Sequence, residues 1–342
     1  MKALRKLASG AGHLELVDVP DPRAVPGHVV LAVKAAGVCG TDIHILHDEF
    51  PTIPPVTLGH EVAGEVVEVG SGISDWSVGD RVVTETYYGV CLQCEYCRAG
   101  YSNLCAQRRS IGSKVDGGFA EYLEVPGRLL HRIPDSLSWE TAALTEPLAC
   151  TVHALNQVRI HPGDWVVVSG PGPMGLLALQ VARAAGGRVI ALGLTQDTKR
   201  LEVATQLGAH KTFNVEVLGS QQAIAEVTAL TNGGAHVVLE CAGAGPSADL
   251  LLQVVRKRGA YGQIGLYGKP VPIDVDTICY KELSVSGTNA SIPEAWPRAL
   301  ELLQLGLVKS EAIISGTWSL QQWQDAFAKV QEKGALKVLM AP

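Results

Sequence analysis

The chain has no long apolar run. Nothing in it approaches the roughly 18 consecutive apolar residues that a membrane-crossing helix needs. Residues 1–10 carry basic side chains but lack the continuous apolar core and cleavage site of an export signal, so a cytoplasmic protein is expected. Excess positive charge is also missing. Twenty-eight Lys and Arg face 34 Asp and Glu, for a net charge of −6 at pH 7, which argues against a dedicated nucleic-acid binder. Charged residues make up only 18% and hydrophobic residues 47%. Predominant disorder is therefore excluded, because it needs low hydrophobicity and high charge. Aromatics are scarce, with 4 Phe, 8 Tyr and 6 Trp against 37 Gly. That texture is common in α/β enzymes whose backbone turns tightly around ligands. There is no internal repeat and no low-complexity linker. At about 100–200 residues per domain, 342 residues suggest two domains or one large one.

Eight cysteines stand at Cys39, Cys91, Cys94, Cys97, Cys105, Cys150, Cys241 and Cys279. A disulfide framework spreads its cysteines through a small secreted chain. Here four are crowded between positions 91 and 105 of a long chain, which points to a reducing compartment and a metal. Thiolates at the spacing Cys91-x2-Cys94-x2-Cys97-x7-Cys105 can close a tetrahedral sulfur shell around Zn2+, a structural site with no position left for water. An iron–sulfur cluster is the rival reading of the same spacing. Zinc is preferred because nothing else suggests electron transfer.

The first ~150 residues read as short strands separated by Gly/Pro turns, for example 29–33, 65–69 and 78–83. From about Leu144 the texture changes. Residues 142–158 read as a helix, 164–169 as a strand, 174–185 as an apolar helix, 188–192 as a strand and 198–207 as a helix closed by Gly208. Further strands are expected at 236–240, 259–264 and 282–286, then a helix at 292–305. Strands alternating with helices of this length imply a parallel sheet. Gly170-Pro171-Gly172-Pro173-Met174-Gly175 is a G-x-G-x-x-G turn between a Val-rich strand and an apolar helix. Glycines there let the backbone approach a pyrophosphate at the helix N-terminus. The plainer alternative is a Gly-rich turn of some other α/β fold.

NAD-selective sheets carry an acid about 20 residues further on to bind the ribose hydroxyls. The second strand instead ends at Gly193, followed by Leu194-Thr195-Gln196-Asp197-Thr198-Lys199-Arg200. Without that carboxylate nothing repels a 2′-phosphate, and Thr195, Lys199 and Arg200 supply donors. NADP is therefore preferred over NAD. The alternative is that Lys199 and Arg200 are solvated helix-start residues and Asp197 their cap.

A second, dispersed group comprises Cys39, His60, Glu61 and Glu146. A thiolate, an imidazole and a carboxylate leave a metal position open for water or substrate, and an open zinc lowers the pKa of a bound hydroxyl. Taken singly, these residues are ambiguous, and spacing alone does not link them.

Joined together, the motifs resemble a known family. Gly37-Val38-Cys39-Gly40-Thr41-Asp42-Ile43-His44, Gly59-His60-Glu61-Val62-Ala63-Gly64, the four-cysteine loop, Gly118-Phe119-Ala120-Glu121-Tyr122, Thr145-Glu146-Pro147-Leu148, the glycine turn and Gly334-Ala335-Leu336-Lys337-Val338 are similar to the zinc-containing medium-chain dehydrogenase/reductase superfamily. Within it they resemble the polyol (sorbitol-type) and threonine dehydrogenase branch. The resemblance covers nearly the whole chain and implies an α/β protein. A GroES-like β-rich catalytic domain (1–150) would precede a Rossmann doubly wound parallel-sheet domain (151–287), with a C-terminal segment (288–342) returning to the first.

The resemblance also implies roles. Cys39 and His60 would bind a catalytic zinc, with Glu146 as the ligand of the sorbitol-type branch. Glu61 would bind the metal or hold its water, and Thr41 and His44 would relay the alcohol proton outward. Two Zn2+ per chain and NADP or NAD are the implied cofactors. Gly170, Gly172, Pro173, Met174, Gly175, Gly193, Thr195, Lys199, Arg200, Cys241 and Ile264 are the cofactor-binding candidates. Cys150 and Cys279 read as packing residues, as does the body of Cys241.

The reaction expected is hydride transfer between a secondary alcohol, a polyol or small diol, and NAD(P), giving a ketone. The alternatives are an L-threonine-like amino-alcohol dehydrogenase and a non-catalytic nucleotide-binding relative. The branch's substrate Arg is absent from residues 286–293, and Ile45 replaces an aromatic, which puts sorbitol itself in doubt. Asn289 or Ser291 would supply some hydroxyl contacts. Asp48 and Glu49 would repel a substrate carboxylate if they faced the pocket. The partner is a small alcohol, with no nucleic acid or membrane, and a homotetramer or homodimer is expected.

Overall fold

The computed structural model describes residues 1–342. Six parallel strands form one sheet in the spatial order Lys211–Asn214, Arg188–Gly193, Trp165–Ser169, Ala235–Glu240, Val255–Gln263, Ser284–Gly287. Counted along the chain, that order is 3-2-1-4-5-6, which is the Rossmann arrangement. The central strands are Val- and Leu-rich because helices cover both faces. Val166, Val167, Val168, Val238 and Leu239 are all fully buried. Order reverses beside Trp165–Ser169, and the crevice at its carboxyl end receives the glycine turn.

The rest of the chain builds a β-rich unit. Its largest sheet runs Ile314–Ser319, Lys337–Ala341, His28–Val38, Glu61–Val69, Arg81–Thr84, Leu130–Arg132, with Tyr122–Pro126 also paired to His28–Val38. The last strand of the chain thus lies against an early one, antiparallel, with Val338 opposite Val38. A small sheet of Leu14–Asp18, Lys2–Lys6 and Val56–Thr57 completes this unit. No helix is long and apolar enough to cross a membrane.

One core cluster joins the two units. It contains Ala35, Ala63 and Val83 of the β-rich sheet together with Leu148, Val152 and Leu155, Leu176–Leu179, and Trp296, Ala299 and Leu303. The helix expected at 142–158 is two helices, Trp139–Ala143 and Thr145–Asn156, with Leu144 non-helical between them. Pro147 is the cause. In a continuous helix its ring would clash with the Ala143 carbonyl, whereas at the third position of a new helix the missing N–H costs nothing. The break puts Glu146 in the first turn of a buried helix, pointing towards the β-rich unit. The other expected elements form with boundaries shifted by a few residues, such as Ala295–Gln304 for 292–305.

Candidate active site

Three strand ends converge on one spot. Cys39 follows His28–Val38, His60 precedes Glu61–Val69, and Lys337 opens Lys337–Ala341. Antiparallel register puts Gly37 opposite both Glu61 and Leu339, so pairing alone brings side chains nearly 300 residues apart to the same edge. Gly37 is required there, because a Cβ would stand 1.8 Å from Glu61 Oε2.

The ligand atoms of Cys39, His60 and Glu61 all lie within 4.8 Å of one another. Glu61 is fully buried. One of its oxygens accepts from Lys337 Nζ at 2.6 Å, and the other, Oε2, is buried without a hydrogen-bond partner. An orphaned buried carboxylate oxygen is costly unless a cation satisfies it. Burial pulls the His60 imidazole down, but Cys39, Asp42 and Glu146 outweigh it and hold the ring well above its ordinary value. Burial raises the Glu146 carboxyl, with Glu61 adding to the rise. The site is thus a concentration of acids and a thiol with one ammonium, the donor set of a divalent cation. Thiolate, imidazole and carboxylate together suit zinc.

Glu146 sits beside this triad. Its Oε1 accepts from Thr86 Oγ1 at 3.2 Å and from Cys150 Sγ at 3.5 Å. Cys150 is therefore not a packing residue. It is one turn beyond Glu146 on the same helix face, and it lines the cleft. The spacing i, i+4 was the available signal. Cys279, also expected to pack, is exposed.

Asp42 escaped sequence reasoning. It is fully buried, accepts from the Cys39 N–H at 2.8 Å and stands 3.9 Å from His60 Nδ1, so it braces both donors. Thr41 Oγ1 lies 3.7 Å from Cys39 Sγ and lines the cleft. His44 is turned outward, where its Nδ1 meets Glu49 Oε2 at 2.7 Å. That pairing also draws Glu49 away from the cleft.

The second candidate metal group is compact. The sulfurs of Cys91, Cys94, Cys97 and Cys105 lie within 4.8 Å of one another, and no disulfide joins any of them. Backbone N–H groups point at them, from Cys94 to Cys91 Sγ at 3.3 Å and from Cys97 to Cys94 Sγ at 3.4 Å. The N–H groups of Gln93 and Cys94 lower the Cys91 thiol to about 6, while burial and the neighbouring thiols raise that of Cys97 to about 12.

The cofactor turn shows the three glycine functions separately. Gly170 has φ +92° and no room for a Cβ, which would meet Ala242 N at 2.6 Å. At Gly175 a Cβ would press to 2.0 Å from the Gly170 carbonyl. Gly172 faces open space, a cradle for a pyrophosphate. Pro173, Met174 and Ile264 line the same cleft as the donor triad, while Cys241 packs on the core beside the turn.

At Gly193 a Cβ would stand 3.0 and 3.1 Å from Pro171 and Asp197, so a side chain at the strand end is crowded. The three proposed phosphate donors are placed differently from one another. Arg200 is committed, with Nε and NH2 on the Ala335 carbonyl and NH1 on Asp197. The Thr195 N–H donates to Glu216. Lys199 is exposed and unpaired.

Glu240 was missed. It is fully buried and accepts from the N–H groups of Ala242 and Gly243 and from Gln263 Nε2. It therefore ties together the two loops that carry Cys241 and Ile264. Asn289 lines the cleft, whereas Ser291 is buried with its hydroxyl under Trp296 Nε1.

A fold of this topology with an open thiolate–imidazole–carboxylate site, a four-thiol lobe and a glycine turn is that of a zinc-dependent dehydrogenase. The alcohol dehydrogenase GroES-like domain family matches residues 25–135 and the zinc-binding dehydrogenase family matches 173–304. The chain belongs to the zinc-containing alcohol dehydrogenase superfamily and is an oxidoreductase. It is 41% identical to sorbitol dehydrogenase of Halalkalibacterium halodurans, over 100% of this chain and 99% of that one. It is 38% identical to D-arabitol-phosphate dehydrogenase of Enterococcus avium, over 99% and 97%. A solved zinc-binding dehydrogenase structure from Sinorhizobium meliloti 1021, bound to NADP, superposes with a TM-score of 0.89 at 35% identity, covering 100% of this chain and 99% of that one.

Proposed function

We propose that the chain oxidises a secondary carbinol of a polyol or small diol to a ketone, with NADP as the preferred hydride acceptor. The carrying observation is the Cys39–His60–Glu61 triad, with its orphaned Glu61 oxygen, opening into the same cleft as the glycine turn. Cys39, His60 and Glu61, with Glu146 beside them, would hold a catalytic zinc, and the four-cysteine lobe a structural one. When bound, the zinc acidifies the alcohol hydroxyl and the nicotinamide takes the hydride.

The chain's own residues do the rest. Thr41 Oγ1, beside Cys39, would accept the hydroxyl proton as its own O–H proton passes outward, and His44 with Glu49 stands at the solvent end of that path. Lys337 holds Glu61 through one oxygen and leaves the other free for the site. Met174 and Ile264 wall the cleft and keep water from the reacting carbon. Glu240 fixes the loop on which Ile264 stands.

NADP preference is supported by the crowded Gly193 and the unpaired Lys199, and by the NADP-bound relative. The names of the two sequence relatives, a sorbitol and an arabitol-phosphate dehydrogenase, support a polyol substrate. A panel of polyols, diols and threonine, each with NAD and NADP, tests this reading. The expected result is ketone formation from polyols, a higher kcat/KM with NADP, and a loss of about tenfold with NADP alone in Lys199→Ala, the worth of one charged phosphate contact. Threonine as the best substrate, or a clear NAD preference, would overturn the corresponding part.

The reading includes a reducing compartment such as the cytoplasm, which the free thiols require. It also includes a homotetramer or homodimer. The unpaired edge strand Ser284–Gly287, with Val285 exposed and Leu266 and Tyr280 largely exposed, supports assembly. Light scattering should give a mass of two or four chains, and a monomer at micromolar concentration would exclude it.

A further inference from the structure

The cleft of about 490 Å³ is lined by three cations, Arg108, Arg200 and Lys337. Lys337 is paired with Glu61, and Arg200 with Asp197. Arg108 has no carboxylate partner. Its guanidinium stacks over the Tyr87 ring, with Cζ 5.2 Å from the centroid, and one nitrogen donates to the Asn103 carbonyl at 2.5 Å. That anchor comes from the four-cysteine lobe and uses a single N–H of the five a guanidinium carries. The stacked, tethered side chain is held in one orientation with most of its donors unspent.

The cleft's two carboxylates, Glu61 and Glu146, are bonded to other groups and neither pairs with Arg108. Ser110, Ser113, Thr288 and Asn289 line the same cleft, and the Tyr87 hydroxyl is buried without a hydrogen-bond partner. Two adjacent residues link Arg108 to the metal donors. Thr86 donates to Glu146 beside the metal donors, and Tyr87, the next residue, carries Arg108.

We infer that Arg108 is the anion-binding end of the substrate pocket and that the substrate is a polyol carrying a terminal phosphate monoester, its carbinol at the Cys39–His60–Glu61 end. This rests on the polyol reading above and narrows it. Arginine's planar fork matches phosphate oxygens in pairs, and the neighbouring hydroxyls and amide suit the remaining oxygen. A zwitterionic amino alcohol fits less well, because its ammonium would need an acid here. The cleft's two carboxylates are engaged, Glu61 with Lys337 and Glu146 with Thr86 and Cys150.

The test compares sorbitol and ribitol with sorbitol 6-phosphate and ribitol 5-phosphate on the zinc-loaded protein, in the native form and in Arg108→Gln, Arg108→Lys and Arg109→Gln. The phosphates should have the higher kcat/KM. The preference for phosphate over parent polyol should fall about fiftyfold in Arg108→Gln, carried mainly by KM, the range expected for hydrogen bonds to a charged group. Arg108→Lys should recover part of it. Arg109→Gln, an exposed neighbour outside the cleft, should leave both activities unchanged. Sorbitol turned over at least as well as its phosphate, or a preference unaltered by Arg108→Gln, would overturn the inference while leaving polyol oxidation standing. If no polyol or phosphate is oxidised with either cofactor, both readings fall.

Discussion

Replacing Cys39 by Ser should abolish turnover while sparing the fold. Cys39 follows the strand His28–Val38 and is the N-cap of the helix Gly40–Leu46. Serine is a favoured N-cap, and the Asp42 contact is to the backbone N–H of residue 39, so the local geometry survives. What is lost is the thiolate. A serine hydroxyl stays protonated at neutral pH and is a poor ligand for zinc, leaving an imidazole and a carboxylate to hold the ion. Without a Lewis acid worth several kcal/mol at the alcohol oxygen, kcat/KM should drop roughly a thousandfold or more. Metal content should fall by one equivalent per chain, with the four-cysteine lobe unaffected. Circular dichroism and the melting temperature of the metal-free protein should match the parent. Full activity with unchanged metal content would refute the assigned site.

Lys337→Met should produce the largest stability effect, and one that depends on metal. The ammonium and Glu61 are both buried, 6% and 1% exposed. Burial draws the lysine pKa down, but Glu61, Cys39 and Glu146 outweigh it, so the group remains charged. Taking away one partner of a buried ion pair strands the other charge, at a cost of roughly 3–5 kcal/mol. Here Glu146 and Cys39 stand nearby and sharpen the repulsion. In the metal-free protein the melting temperature should fall by several degrees. A bound divalent cation faces the same carboxylate and offsets much of the loss, so the gap between zinc-loaded and chelator-treated samples should widen in the variant. Equal losses with and without metal would show that Lys337 acts independently of the cation site.

How much of this was legible in the sequence depended on distance along the chain. The four-cysteine lobe is written within 15 residues, because a chelate loop closes locally. The glycine turn is likewise local, and Gly170 and Gly175 have steric reasons visible in the backbone. Cys39, His60 and Glu61 were legible only as fragments, since strand pairing rather than spacing brings them together. The residues that tune them were not legible. Lys337 lies 276 positions from Glu61, and no local pattern announces a buried ammonium. Arg200 looked available beside the cofactor loop, yet its donors go to Ala335, 135 positions away. His44 sat in a recognisable motif, but a local pairing with Glu49 turns it to solvent. The sequence also showed an unbroken helical pattern at 142–158, where a single proline resets the helix and thereby aims Glu146. Cys150 was recoverable from its i, i+4 relation to Glu146, but only once that helix start was known.

The return of strand Lys337–Ala341 to the side of His28–Val38 has a consequence for how the molecule is made. On a ribosome the first strands of the β-rich unit emerge long before residue 337 exists. During that interval Glu61 has no ammonium beside it, and one edge of the main sheet has no neighbour. The parallel sheet between can form from contiguous sequence, domain by domain, but the catalytic pocket waits for the final few residues. A nascent or truncated chain therefore holds the cofactor turn without a finished alcohol site, so a prematurely terminated product should be unable to carry out the reaction.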